Sequence, residues 1–411
     1  MSKPTGPIPP YFKADSDGMM LIGGERADAL AERTGATPLF VYDLGIVRER
    51  VADLRAAMPA SLGLHYAIKA NSHAALLAAM VPLVDGFDVA SGGELGFALD
   101  AGQAAAHISF AGPGKRDSEL EAAISAGATL NLESEGEAAR ALAIGERLGI
   151  APRLAIRVNP DFDLKGSGMR MGGGAKPFGV DAERVPALAR QLIEAGAAWR
   201  GFHIFAGSQA LDPDAIIETQ SATIALAHSL SDAVGAVPPL VNLGGGFGVP
   251  YFAGDTALDI ARIGDALKAN AQMAAMEAQG THFAIELGRW FVAEAGVYLA
   301  RIVDKKLSHG ETFLVTDGGL HHQLAASGNF GTVVKRNYPI AIADKFNVAA
   351  SGDAHVVGCL CTPLDRLGDQ VALPQAEVGD LVAIFLAGAY GRSASPAAFL
   401  GHPPAVELVI G

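Results

Sequence analysis

Lys69 closes the apolar run Leu64-His65-Tyr66-Ala67-Ile68. A lysine delivered to the mouth of an α/β core is partly stripped of water, which suits its amine to attack a carbonyl and form a Schiff base. A surface lysine just past a strand would read the same way, so the stretch through Asn71 decides little by itself. The rest of the chain repeats the arrangement. Asp88, Arg157, His203, the triplet Gly244-Gly245-Gly246 and Glu286 each stand at the end of a comparable run. Polar residues end strands for ordinary turn and capping reasons, but together these ends suggest one shared site.

The elements that would position these groups alternate short apolar or β-branched runs with longer alanine- and leucine-rich segments. Strands are expected to begin near Leu62, Gly86, His107, Thr129, Arg153, Gly201, Leu240 and His282. Helical stretches are expected over 93–101, 117–126, 135–148, 182–195, 215–234 and 257–279. Eight such units predict an α/β fold of the (β/α)₈ TIM-type barrel, in which active groups sit at the C-terminal ends of the strands. A doubly wound open sheet is the main competitor. Beyond Glu286 the segments 297–303, 312–316, 354–357 and 381–385 are short, β-rich and separated by glycine, proline or aspartate. They predict a second, mostly antiparallel β domain. The barrel is expected over 45–286, and the β domain over 1–44 with 287–411.

The composition excludes several classes. The chain has 411 residues, half of them apolar and 18% charged, which is ample for a large interior and argues against disorder. Its 31 basic against 44 acidic residues, with no basic run, make nucleic acid an unsuitable partner. The N-terminal residues lack a charged head followed by an apolar core, and no apolar stretch approaches the ~20 residues of a membrane span. Cys359 and Cys361 are too close to bridge each other and do not match a zinc knuckle, so no metal site is expected. A cytoplasmic protein with reduced thiols is the resulting expectation.

Read together, these motifs resemble the pyridoxal-phosphate decarboxylases of the alanine-racemase-like fold, the group containing ornithine, arginine and diaminopimelate decarboxylases. The resemblance runs from about Pro38 to about Gly401. It rests on Tyr66-Ala67-Ile68-Lys69-Ala70-Asn71, Phe87-Asp88-Val89-Ala90-Ser91, Gly244-Gly245-Gly246-Phe247-Gly248, Glu286-Leu287-Gly288-Arg289, Cys361 with Asp365, and Gly388-Ala389-Tyr390. It implies pyridoxal 5'-phosphate as cofactor, held by Lys69 as a Schiff base, with Glu286 at the ring nitrogen and His203 lying on the ring. Gly244, Gly245 and Gly246 would hold the phosphate through backbone amides, helped by a following helix N-terminus. Ser208, Gly288, Arg289 and Tyr390 would contribute to that cradle, and Asp88 and Arg157 would orient lysine and ring. Cys361 would enter the neighbouring subunit's active site to protonate product, which implies a head-to-tail homodimer with shared sites.

Departures from the family pattern bear on substrate. His203-Ile204-Phe205-Ala206-Gly207-Ser208 carries extra residues between ring and phosphate groups, and the family's Glu-Pro-Gly-Arg is here Glu286-Leu287-Gly288-Arg289. Most telling is Thr362. Relatives that take diamino acids place an acid there to meet the substrate's distal ammonium, and threonine offers no such charge. Thr362, Asp365 and Tyr390 are the expected substrate contacts. The glycine-rich stretch 165–176 and Cys361-Thr362-Pro363-Leu364-Asp365 resemble relatives acting on aminoacyl groups tethered to a carrier protein, and decarboxylases found beside bacterial exosortase systems. The expected substrate is an α-amino acid whose far end is amidated, esterified or thioester-linked, with Lys165, Arg170 and Lys176 facing an acidic carrier. The alternatives are a diaminopimelate decarboxylase, a racemase of the same fold, and a non-catalytic cofactor-binding protein. Racemases of this fold place arginine near the ring nitrogen, so Glu286 speaks against that reading.

Overall fold

The computed structural model describes residues 2–166, 168–170, 172–328 and 336–411. The chain divides into two compact units, one of residues 51–248 and 258–288, the other of 1–50, 249–257 and 289–411. The segment 249–257, expected in the barrel, is thus counted with the β unit.

In the first unit eight parallel strands close on themselves: β1 (Gly63–Ala67), β2 (Gly86–Val89), β3 (Ile108–Phe110), β4 (Thr129–Leu132), β5 (Arg153–Asn159), β6 (Ala198–Ile204), β7 (Leu240–Asn242) and β8 (His282–Leu287). Each pairs with its sequence neighbour, and β8 returns to β1 with Glu286 opposite His65. The open-sheet alternative is therefore ruled out. The strands are buried on both faces, with Phe87, Phe110, Phe202 and Phe283 at most 1% exposed, which is why they read as near-continuous apolar runs.

Several of the helices between them start where a side chain satisfies an orphan amide. Ser91, Ser134 and Asp259 accept from the third residue of their helices, and Gly127, Gly149 and Gly235 end helices in the left-handed conformation. The stretch 257–279, expected as one helix, is two, Ile260–Lys268 and Ala271–Ala278. Asn270 causes the break: its side chain accepts from Met273 N at 2.9 Å and restarts the chain as an N-cap.

The second unit is built on the long strand Gly296–Ser308, which pairs antiparallel with Leu39–Asp43, Leu381–Ile384 and Glu311–Thr316. Ile340–Ile342, Gly352–Val357, Arg366–Leu373 and Val406–Ile410 extend the sheet. Two pairings are parallel, Glu311–Thr316 with Gly352–Val357 and Val406–Ile410 with Leu39–Asp43. The sheet is accordingly mixed, with antiparallel pairs in the majority.

Candidate active site

The sequence Ile68-Lys69-Ala70 forms a single 3₁₀ turn at the end of β1. Ile68 and Ala70 are buried and Lys69 is exposed, so the turn presents the amine to the outside of the barrel core. Tyr66 fixes this turn: its hydroxyl donates to Asn71 O at 2.7 Å, and Asn71 Oδ1 accepts from His73 N at 3.0 Å.

Around Lys69 the C-terminal strand ends enclose a cavity of about 310 Å³ lined by Asp88, Arg157, His203, Phe205, Phe178 and Glu286 among others. Five of the expected residues therefore share one cavity. Glu286 Oε2 lies 2.7 Å from His203 Nε2 and accepts from Asn242 Nδ2 at 3.1 Å. Burial pushes the Glu286 carboxyl up, but His203, Lys69 and Arg157 outweigh it and hold it well below the usual carboxylate range. This carboxylate is charged at neutral pH and set to stabilise a cationic partner. On the adjoining strands His65 Nδ1 stands 3.3 Å from Asp88 Oδ2; burial lowers the imidazole pKa, yet Asp88 raises it further, for a net upward shift.

Arg157 is held by a residue not singled out in the sequence. Its Nη1 donates to Glu133 Oε1 at 2.9 Å, and Glu133 also accepts from Gly112 N at 2.6 Å and Gly179 N at 2.7 Å. Burial raises the Glu133 carboxyl, but Arg157 and Lys115 bring it below its ordinary value. Glu133 stands directly after β4, and that strand-end position was the available signal. Two aromatic rings also belong to the site: Phe205 lies 5.7 Å from Lys69 Nζ and Phe178 4.9 Å from the Arg157 guanidinium.

The glycine triplet follows β7. Gly244 and Gly246 have φ of 68° and 94°, conformations a side chain resists, and a Cβ on Gly245 would fall 2.0 Å from Glu286 O. The backbone here comes as close as it can to β8. Gly244 N donates to Asn242 Oδ1 at 2.8 Å and is already engaged. Among the described residues no helix opens after the triplet, the next beginning at Ile260, so the expected helix N-terminus is not part of this loop. What shapes it instead is the bridge between Ala210 and Phe247, with Ala210 N donating to Gly246 O at 2.8 Å.

The extra residues after His203 also have a structural consequence. Gly207–Ser208 forms a two-residue antiparallel ladder with Met169–Arg170, and Gly168 N donates to Ser208 O at 2.9 Å. The glycine-rich stretch is thereby tied to the loop between ring and phosphate groups. Ser208 Oγ is buried without a hydrogen-bond partner, as are His203 Nδ1 and Asp88 Oδ1. Such orphaned atoms are costly unless a ligand meets them. A lysine and a charged carboxylate share one cavity, and with the side-chain-free loop that abuts Glu286 O the residues present fit a pyridoxal phosphate. Lys165 pairs with Glu218 at 2.8 Å on the surface. The expectations for the Arg170 side chain, Ser167 and Met171 lie outside the described residues. Gly288 packs against the Lys69 turn, where a Cβ would sit 2.9 Å from Ala67 O.

Arg289, Tyr390, Cys361, Thr362 and Asp365 belong to the β unit. Arg289 Nη1 donates to Tyr251 OH at 2.9 Å, and its guanidinium lies 4.7 Å from the Tyr390 ring. Tyr390 has φ of 55°, a strained backbone for an aromatic residue. Cys361 is exposed. Asp365, expected to touch substrate, is 3% exposed, and its oxygens accept from Leu320 N at 2.6 Å and Leu360 N at 2.8 Å. These bonds assign it to bracing two turns.

A closed parallel barrel with a lysine and a carboxylate at its C-terminal mouth, joined to a mixed β unit, defines a cofactor-dependent barrel enzyme. Residues 44–293 match the family of the pyridoxal-dependent decarboxylases through its pyridoxal binding domain, and the chain belongs to that family. It is 36% identical over 379 residues to the L-glutamyl-[BtrI acyl-carrier protein] decarboxylase of Niallia circulans, covering 91% of this chain and 88% of that protein. It is 30% identical over 375 residues to the 2-[(L-alanin-3-ylcarbamoyl)methyl]-2-hydroxybutanedioate decarboxylase of Staphylococcus aureus, covering 89% and 92%. The crystal structure of diaminopimelate decarboxylase from M. jannaschii with L-lysine superposes with a TM-score of 0.85 at 26% identity, covering 97% of this chain and 93% of that one. The protein is a pyridoxal-phosphate-dependent decarboxylase, and the racemase and non-catalytic readings are not favoured. Among the described residues no helix is long and apolar enough to cross a membrane.

Proposed function

We propose that this enzyme decarboxylates an α-amino acid whose side chain is joined to a carrier, using Lys69 as the cofactor-binding amine. The observation that carries the reading is the likeness to the glutamyl carrier-protein decarboxylase over 91% of the chain, in a sequence with neutral Thr362 where an acid would serve a free diamine. The Staphylococcus relative's name likewise describes an amino acid linked through an amide.

When bound, pyridoxal phosphate supplies the electron sink for the carbon that loses CO₂. Glu286, kept anionic among His203, Lys69 and Arg157, would hold the ring nitrogen protonated. His203, fixed by Glu286, would support the ring face. The amides after Gly244, with Ser208 Oγ, would take the phosphate. Arg157, anchored by Glu133, and Asp88, beside His65, would orient the lysine and the ring substituents. Cys361 Sγ, exposed on its loop, would deliver the proton to the α-carbon in the neighbouring subunit of a head-to-tail homodimer. Thr362 would meet an uncharged linkage, and the 165–176 stretch would face the carrier. A cytoplasmic location suits the two reduced thiols.

The test is CO₂ release from glutamate thioester-linked to an acyl carrier protein beside free diaminopimelate, ornithine and lysine. The carrier-linked substrate should be favoured by at least about 10²-fold in kcat/KM, the scale on which an unmet charge is rejected. Fast turnover of free diaminopimelate would overturn the assignment.

A further inference from the structure

Three potential metal ligands meet in the β unit outside the machinery described above. His321 lies in the turn after Glu311–Thr316, Cys359 follows Gly352–Val357, and His402 follows the short turn Phe399–Gly401. One donor atom from each lies within 4.8 Å of the other two, and Cys359 Sγ stands 3.7 Å from His402 Nδ1. Nitrogen and sulfur ligands of one tetrahedral zinc ion lie roughly 3.5 Å apart, given bonds of about 2.0 and 2.3 Å. The Cys359–His402 pair is therefore at ligation spacing, and His321 stands within 4.8 Å of both.

His321 supplies the independent observation. It is 0% exposed, and both of its ring nitrogens are buried without a hydrogen-bond partner. A buried imidazole with neither nitrogen satisfied is costly, and a ligand would remove that cost. Its neighbour shows the contrast. His322, also buried, bonds Tyr298 OH at 3.0 Å and Pro403 O at 2.9 Å, and so holds the segment carrying His402 against the turn carrying His321.

Asp365 completes the frame. It binds Leu320 N and Leu360 N, the residues beside His321 and Cys359, and a Cβ on either Gly319 or Gly358 would come within 2.3 Å of its carboxylate. Two glycines and one buried carboxylate thus bring two turns, distant in sequence, side by side.

We propose that His321, Cys359 and His402 form a zinc(II) site. Neutral imidazoles with one thiolate are a borderline-soft donor set suited to zinc, and three protein ligands leave a fourth position for water or a further donor. On binding, the Cys359 thiol proton passes to solvent and the sulfur bonds the metal. The ion ties together the 317–322 turn, the 358–365 loop that displays Cys361, and the 402–403 segment.

The test uses the full-length holoenzyme, purified under reducing conditions, loaded with zinc and dialysed, with metal counted by mass spectrometry and ligands read by zinc-edge X-ray absorption. One zinc per chain with nitrogen and sulfur in its shell is expected. Cys359→Ser should lose the sulfur and the retained metal, and so should His402→Ala at a partly exposed position, whereas Cys361→Ser should keep both. A protein that retains no zinc, or a sulfur signal that disappears with Cys361→Ser and survives Cys359→Ser, would overturn the proposal.

Discussion

Each residue of the barrel site owes its chemistry to what surrounds it. Glu286 is a strand-end carboxylate held anionic beside His203, and in the proposed reaction that charge would hold the cofactor ring protonated. Replacing it by glutamine leaves the shape but removes the charge. Glu286→Gln should lower kcat by about 10²–10³, the usual cost of one preorganised electrostatic partner. Steady-state kinetics with saturating cofactor would measure this; an unchanged kcat would place the carboxylate outside the reaction. Gly245 makes a different demand, that of closeness, because a Cβ would meet Glu286 O at 2.0 Å. Gly245→Ala should destabilise the fold by about 1–3 kcal/mol and weaken cofactor binding, measured by thermal unfolding and by equilibrium titration.

At the scale of elements, the strand ends act as a ring in which each side chain is braced by its neighbours. Glu133 after β4 accepts from Arg157 of β5 and from two backbone amides, and both members of the ion pair are buried. Glu133→Gln should leave Arg157 uncompensated and cost about 3 kcal/mol of stability, read by denaturant unfolding. A loss of only a few tenths would mean that the pair is solvated. This ring also shows what could be read in advance. The eight strands were legible because buried parallel strands are continuous apolar runs punctuated by capped helices, and Lys69, Asp88, Arg157, His203 and Glu286 were legible because they terminate those runs. Glu133 escaped because Glu133-Ser134 before a helix reads as ordinary capping. The split at Asn270 escaped because one side-chain cap interrupts an otherwise uniform alanine-rich stretch. The His321, Cys359 and His402 cluster could not be read at all, since the three residues are far apart in the chain and only the sheet connectivity joins them.

For the whole molecule, the proposed role of Cys361 requires that sites be completed across a dimer. Mixing inactive Lys69→Ala and Cys361→Ala chains should restore roughly a quarter of wild-type activity, because half the dimers are mixed and each carries one intact site. No recovery after subunit exchange, verified by native mass spectrometry, would argue that each chain works alone. The β unit also carries an acid-sensitive tie that joins its N-terminal residues to its sheet. Burial raises the Asp369 carboxyl, but hydrogen bonds from Lys3 and Arg366 outweigh it and hold it at about 2, below its ordinary 3.8. A carboxyl whose pKa falls on folding stabilises the protein fully above its unfolded value and loses that contribution as pH drops through the folded one. The Tm difference between wild type and Asp369→Asn should accordingly be largest near neutrality and shrink between about pH 4 and 2. A difference independent of pH would show that the ion pairs contribute nothing.

The central claim is that the amine at the end of β1 is the one that captures the cofactor aldehyde. Borohydride reduction of the holoenzyme followed by peptide mass spectrometry tests it directly. The account predicts a phosphopyridoxyl group on the peptide containing Lys69, absent in Lys69→Ala. Stoichiometric label on any other lysine, or a wild-type Lys69 peptide left unmodified, would contradict it.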